Sequence, residues 1–184
     1  MKKISPVKRM ILAALMAAMC VVLPLAFHSI PDGGSVFLPM HIPVLICGMI
    51  CGWPYGFICG LLGPLLSCLL TSMPPLAYLP AMMVECAVYG LATGLMLKYV
   101  RTGRLYGDLY LALIVAMIAG RVVSGVAKAL IFSPGITMGY WITASFITAL
   151  PGIIVQLVAV PLLVGMLMKV RYLPNRYPRE AIDE

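Results

Sequence analysis

Arg121 and Lys128 lie seven residues apart in one apolar run, DLYLALIVAMIAGRVVSGVAKALIF. That spacing is nearly two helical turns, so both cations, with Ser124 between them, share one helix face. A charge at mid-membrane costs about 3 kcal/mol on insertion scales and persists only where it faces protein, water or a ligand. The other Lys and Arg residues are Lys2, Lys3, Lys8, Arg9, Lys98, Arg101, Arg104, Lys169, Arg171, Arg176 and Arg179, all at chain ends or in one short loop. The two exceptions therefore point to a site inside the membrane, and anion binding is its simplest chemistry.

Other polar residues fall at matching depth. Glu85 is the one acidic residue well inside an apolar segment, and Tyr89 follows it by one turn. Gln156 is the main polar side chain of the last segment, on a face with Ser145, Ala149 and Gly152. His41 opens the second segment, and Trp141 with Tyr140 stands at the outer start of the sixth. Two cations against one carboxylate leave an excess positive charge that an anionic ligand group would neutralise.

Plainer readings stand beside this one. Glu85 pairs with Arg121 or Lys128 and merely holds helices together, Lys128 snorkels to the outer interface, Gln156 bonds between helices, and His41 caps its helix. Trp141 and Tyr140 then serve as interfacial anchors, and Asp32 is solvated.

The composition fixes the class. Of 184 residues, 62% are hydrophobic and 10% charged, with mean hydropathy +1.05. A soluble domain is about half apolar and a quarter charged, so this is an integral membrane protein. The net charge of +7 sits beside apolar segments, as membrane topology requires, and gives no basic stripe for nucleic acid. All six cysteines, Cys20, Cys47, Cys51, Cys59, Cys68 and Cys86, lie in apolar segments, which argues against a disulfide framework. Cys47 and Cys51 have helical spacing, but no His or carboxylate in their segment completes a metal site. No G-x-S-x-G, H-E-x-x-H or Walker A motif is present, so neither hydrolytic catalysis nor ATP hydrolysis by this chain is expected.

Six helices of membrane-spanning character are expected, at about 8–27, 41–52, 54–72, 78–99, 108–132 and 142–170, in one all-α membrane domain covering 1–184. The first is read as a retained helix rather than a signal peptide. The flanking cations all fall at the two ends and in the fourth-to-fifth loop, whereas the connections 28–40, 73–77 and 133–141 carry none. The positive-inside rule then places both termini in the cytoplasm. At 1.5 Å per residue, Lys128 lies about 6 Å and Arg121 about 16 Å below the outer end of the fifth helix. The Pro- and Gly-rich outer connections read either as lids or as ordinary turns. Gly48, Gly52, Gly56, Gly60 and Gly63 are assigned to close helix packing. The first helix carries Ala13-x-x-x-Ala17 and Ala14-x-x-x-Ala18, either bundle packing or a flat surface for a partner helix.

Together these features resemble the substrate-binding S components of energy-coupling-factor (ECF) vitamin transporters. The likeness rests on the length, six helices with both ends inside, the Ala-x-x-x-Ala motif, and the runs LPMHIPVLICGMICGWPYGFICGLLGPLLS (38–67) and ECAVYGLATGL (85–95). The resemblance implies capture of a vitamin from outside, in a pocket formed by helices four to six under outer loops. It also implies association with a transmembrane coupling subunit and two ATPases, toppling in the membrane, and inward release. By the resemblance, Ala13 and Ala17, with Ala14 and Ala18 adjoining, meet the coupling subunit. Glu85, Tyr89, Arg121, Ser124, Lys128, Gln156, Trp141 and His41 are the candidate ligand-binding residues. Neither a cofactor nor a bound metal is expected. The sequence begins Met1-Lys2 without the N-terminal metal-ligating His of the nickel and cobalt members, so metal transport is not expected. A carboxylate or phosphate on the substrate fits the charge, and pantothenate fits best. A pterin or deazaguanine edge read by Glu85, riboflavin or another vitamin remain open, as does a packing protein with no small ligand.

Overall fold

A computed structural model describes residues 5–27, 30, 33–132 and 137–169. Eight helices appear among them: α1 Pro6–Ala26, α2 Gly33–Phe37, α3 His41–Cys51, α4 Trp53–Thr71, α5 Leu79–Tyr99, α6 Leu105–Ala127, α7 Met138–Ile142 and α8 Leu150–Lys169. Widened π-type turns extend α6 through Lys128–Phe132 and join α7 to α8 at Thr143–Ile147. Six stretches are long and apolar enough to cross a membrane: Pro6–Ala26, Gly33–Cys51, Trp53–Thr71, Leu79–Tyr99, Leu105–Leu130 and Thr143–Met168. Twenty-one residues of helix rise about 31 Å, the thickness of a hydrocarbon core.

Local chemistry sets the ends. Ser5 caps α1 by accepting from the Lys8 amide at 3.3 Å, and Pro6 fills the first turn, where its missing N–H costs nothing. α1 then buries only Leu12, Met16 and Cys20, a single stripe at four-residue spacing, and exposes Val7, Ile11, Leu15 and Val22. Exposed apolar side chains are what a lipid-facing helix presents. α3 is the opposite case, buried along most of its length and enclosed by α1, α4, α5 and α8.

Glycines allow α3, α4 and α5 to meet at backbone distance. A Cβ on Gly56 would lie 2.5 Å from the Gly90 carbonyl oxygen, and one on Gly90 would overlap the Gly56 backbone. Gly48 faces Gly90 and Thr93, and Gly60 faces Cys86. This bears out the packing role expected for these glycines. Gly52 does something else: its φ of +94° makes the turn between α3 and α4, a conformation that side chains disfavour. The cysteines are all free, and every one except Cys68 is buried.

Three boundaries differ from the sequence expectation. The segment 33–37, assigned to the outer loop, forms α2, and the second span therefore begins before His41. The chain breaks between α2 and α3 at Leu38, whose φ is +50°. The sixth helix is not continuous from 142, because it passes through a π-type turn and resets at Leu150. Pro151 supplies the reason: it has no N–H to donate, and its ring clashes with the preceding turn. The fifth helix widens in the same way as it approaches the Ser133–Pro134 sequence. The tail 170–184 lies outside the described residues, as does residue 170 of the expected last helix.

Candidate functional site

Glu85 is the centre of a polar cluster built by α3, α5 and α6. The Tyr89 hydroxyl, one turn along α5, donates to Glu85 Oε1 at 3.0 Å. The Ser124 hydroxyl on α6 donates to Glu85 Oε2 at 3.2 Å and also lies 3.3 Å from the Arg121 carbonyl oxygen. His41, the first residue of α3, places Nε2 3.7 Å from Glu85 Oε1 and its ring 5.2 Å from the Tyr89 ring. That separation is an electrostatic contact, beyond hydrogen-bond length. Tyr89 reaches this position because Gly120 on α6 leaves room: a Cβ there would overlap the tyrosine ring.

Arg121 stands beside the cluster and is 3% exposed. Its Nε and Nη2 have no hydrogen-bond partner among the described residues. The guanidinium carbon lies 5.5 Å from the centre of the Phe146 ring, a cation–π contact. Phe146 meets Trp141 edge-on at 5.8 Å, and the indole packs over Gly125 of α6. Trp141 Nε1 is also buried without a partner. Glu85 has neither Arg121 nor Lys128 within 4 Å, and its one close basic neighbour among the described residues is His41. The simple ion pair that the sequence allowed is therefore not formed. Lys128 sits where α6 widens, half-buried and with no carboxylate within 4 Å among the described residues.

Gln156 approaches from α8, fully buried. Its Nε2 donates to the Leu38 carbonyl oxygen at 3.5 Å, and the same oxygen accepts from the His41 backbone N–H at 3.1 Å. The amide thus reaches the turn that sets His41 in place. The room left by Gly152 on the same face is taken by α2, since a Cβ there would lie 2.7 Å from the Val36 carbonyl oxygen.

Of the expected residues, Glu85, Tyr89, Ser124 and His41 form one connected set. Arg121 and Trp141 join through Phe146, and Gln156 joins through Leu38. Lys128 lies further along the face. Sequence reading missed Phe146 and Leu38. Residues five apart, such as Trp141 and Phe146, point about 140° apart on an ordinary helix, and only the widened turn brings them together. Leu38 contributes a backbone oxygen, which its side chain does not announce.

The chemistry this arrangement offers is that of an unneutralised cation with spare donors. A guanidinium with two unpartnered nitrogens and an indole N–H, both against the Phe146 ring, are donors of the kind an anion needs. Among the described residues of the cluster, no general acid and base flank a reactive nucleophile.

The Ala stripe lies elsewhere. Ala13, Ala14 and Ala17 line an apolar groove of about 110 Å³ with Tyr55, Ile58, Cys59 and Leu62 of α4. Ala13 and Ala17 are half-buried against the core, whereas Ala14 and Ala18 are exposed.

Comparison with curated proteins and with solved structures gives no match. Residues 8–164 match the family described as "ECF transporter, substrate-specific component", which spans all six membrane-spanning stretches to within a few residues of the last one's end, and the chain belongs to that family of multi-pass membrane transport proteins.

Proposed function

We propose that the cluster around Arg121 captures one small, vitamin-like molecule through an anionic group, pantothenate being the best-fitting candidate. The observation that carries this is a buried guanidinium, 3% exposed, with two nitrogens lacking partners and no carboxylate within 4 Å among the described residues. A buried charge with no counter-ion in contact is unfavourable, and a ligand carboxylate or phosphate would supply a contacting charge and bidentate acceptors. Glu85, Tyr89, Ser124, His41, Trp141 and Gln156 complete the lining, and Lys128 adds positive potential above it.

The site lies toward the outer face when both termini are cytoplasmic, the orientation that the distribution of Lys and Arg favours. In this reading the chain does no chemistry. It presents its cargo to a transmembrane coupling subunit, and two partner ATPases drive release inward. The groove lined by Ala13, Ala14 and Ala17 is the surface for the coupling subunit, because small side chains let a partner backbone come close.

Calorimetric titration of the purified chain tests this with pantothenate beside a panel of anionic and neutral vitamins. Saturable binding by an anionic member, lost in Arg121→Ala, is the expected result. Absence of any binding across the panel would favour a packing protein without a small ligand.

A further inference from the structure

The buried polar atoms that lack partners sort into two kinds. Arg121 Nε, Arg121 Nη2 and Trp141 Nε1 are donors. Gln156 Oε1 is an acceptor, and both ring nitrogens of the 1%-exposed His41 are unpartnered. A neutral imidazole always offers one donor and one acceptor, whichever tautomer it adopts. Glu85 adds acceptor capacity: each oxygen takes one hydroxyl, from Tyr89 and from Ser124, and a carboxylate has about four lone-pair sites.

The Gln156 amide cannot be turned the other way. Its neighbour is the Leu38 carbonyl oxygen, which only accepts, so the NH₂ must face it. That oxygen is aimed by the positive φ of Leu38 and is held from the other side by the His41 N–H. One N–H of the amide is thus given to the backbone. The acceptor half is left beside the first turn of α3, fully buried.

We infer that the captured molecule is bipolar, with its anion at Arg121 and Trp141 and an N–H or O–H donor on its other end accepted by Gln156. This rests on the anion-capture reading above and adds a specificity-determining residue to it. A molecule that only accepts hydrogen bonds satisfies Arg121 and Trp141 but strands the Gln156 oxygen. One stranded buried acceptor weakens binding by about tenfold or more. Two chemistries supply the same pair of poles: an acid whose chain ends in hydroxyls, and an acid on a ring with an amidine-like edge.

The experiment is calorimetry on the full-length chain in detergent with two matched series. The first is pantothenate, pantothenol (acid removed) and O-methylated pantothenate (hydroxyl donors capped). The second is pterin-6-carboxylate, pterin (acid removed) and 1,3-dimethyllumazine-6-carboxylate (amino donor replaced by oxygen and both ring N–H donors methylated). In the series that binds, wild type should lose about tenfold or more on either change. Gln156→Met should shrink the donor penalty to under about threefold while the acid penalty persists, and Arg121→Gln should do the reverse. Equal wild-type affinity for a parent and its donor-capped analogue would overturn the inference, and this comparison needs no variant to fold. So would a Gln156→Met protein that keeps the full donor penalty.

If neither series binds, native mass spectrometry of the chain loaded from a cell extract decides. An acid bearing a remote donor supports the proposal. An anion without one overturns it and leaves anion capture standing. A neutral donor-bearing molecule overturns anion capture and the bipolar reading together, and a chain that takes up nothing overturns both.

Discussion

Helix α5 has two faces, and they obey opposite rules. The face toward α3 and α4 carries Cys86, Gly90 and Gly94, and helix backbones meet there with no space for one more carbon. The face toward α6 and His41 carries Glu85 and Tyr89, and beside it buried donors and acceptors have no partner. One side of the helix is closed, with its atoms in contact. The other is an unmatched set of charges and dipoles that packing alone does not explain. The closed face makes the unmatched one affordable, because three helices locked at backbone distance hold Glu85, Tyr89 and His41 in fixed relation. Binding precision of this kind depends on supporting elements that do not yield.

The sharpest way to break that contrast is to disturb the closed face. Gly90→Val puts a branched side chain into the Gly56 backbone. Overpacking costs about 1–3 kcal/mol where neighbours can move, and more where the obstacle is backbone. Gly90→Val should therefore abolish monodisperse expression, seen as aggregation on size-exclusion chromatography. A well-folded Gly90→Val protein would mean that the seam is looser than described.

Arg121→Ala should do the reverse, leaving folding intact and removing ligand. Loss of a charge-assisted bond weakens binding by about 1.5–3 kcal/mol, and two unused nitrogens put the expected loss at about a hundredfold or more. If Arg121 instead served as half of a structural pair, its removal would cost about 3–5 kcal/mol of stability. Melting temperature and calorimetric affinity, measured on one preparation, separate the two.

These two faces were unequally legible in the sequence. The glycine seam was readable because four-residue spacing of small residues is a local pattern. Arg121 was readable because a cation amid apolar residues is costly wherever it occurs. Glu85 and Tyr89 followed from depth. α2 was not readable, since Gly33–Gly34 looks like a turn and Gly152 of α8, far along the chain, receives it. The Leu38 carbonyl and the Trp141–Phe146 contact were also hidden. One is backbone set by a rare φ, and the other needs a π-type turn that no residue spacing announces. The missing ion pair had the same cause: charges at equal depth need not face each other, and two hydroxyls already occupy Glu85.

A third substitution sharpens the contrast by touching neither face. Ala13→Trp with Ala17→Trp fills the groove between α1 and α4 with two indoles. Affinity of the isolated chain should stay within about threefold, because the groove shares no residue with the Arg121 cluster. Uptake in cells carrying the ATPase module should fall about tenfold or more, with less coupling subunit recovered on pull-down. Normal uptake would leave the stripe as ordinary bundle packing. Loss of binding together with uptake would show that Ala13 and Ala17 support the fold.

The smallest effect should come from Tyr89→Phe, which also tests where the two faces join. The ring remains against Gly120, so packing is unchanged, and only the hydroxyl donated to Glu85 Oε1 is removed. A hydrogen bond to a charged group is worth about 1.5–3 kcal/mol net. Glu85 keeps its second anchor, because Ser124 still holds Oε2, and its side chain is 13% exposed, so water can replace part of what is lost. The expected stability loss is therefore at the low end, about 1–1.5 kcal/mol, read as a lower melting temperature. Affinity should fall by less than about tenfold, since a carboxylate pinned by one oxygen still accepts but points less well. An affinity loss as large as that of Arg121→Ala would mean that the Tyr89 hydroxyl touches the ligand itself. A stability loss with no change in affinity would confine Glu85 to a structural role and leave Gln156 and His41 as the acceptors of the site.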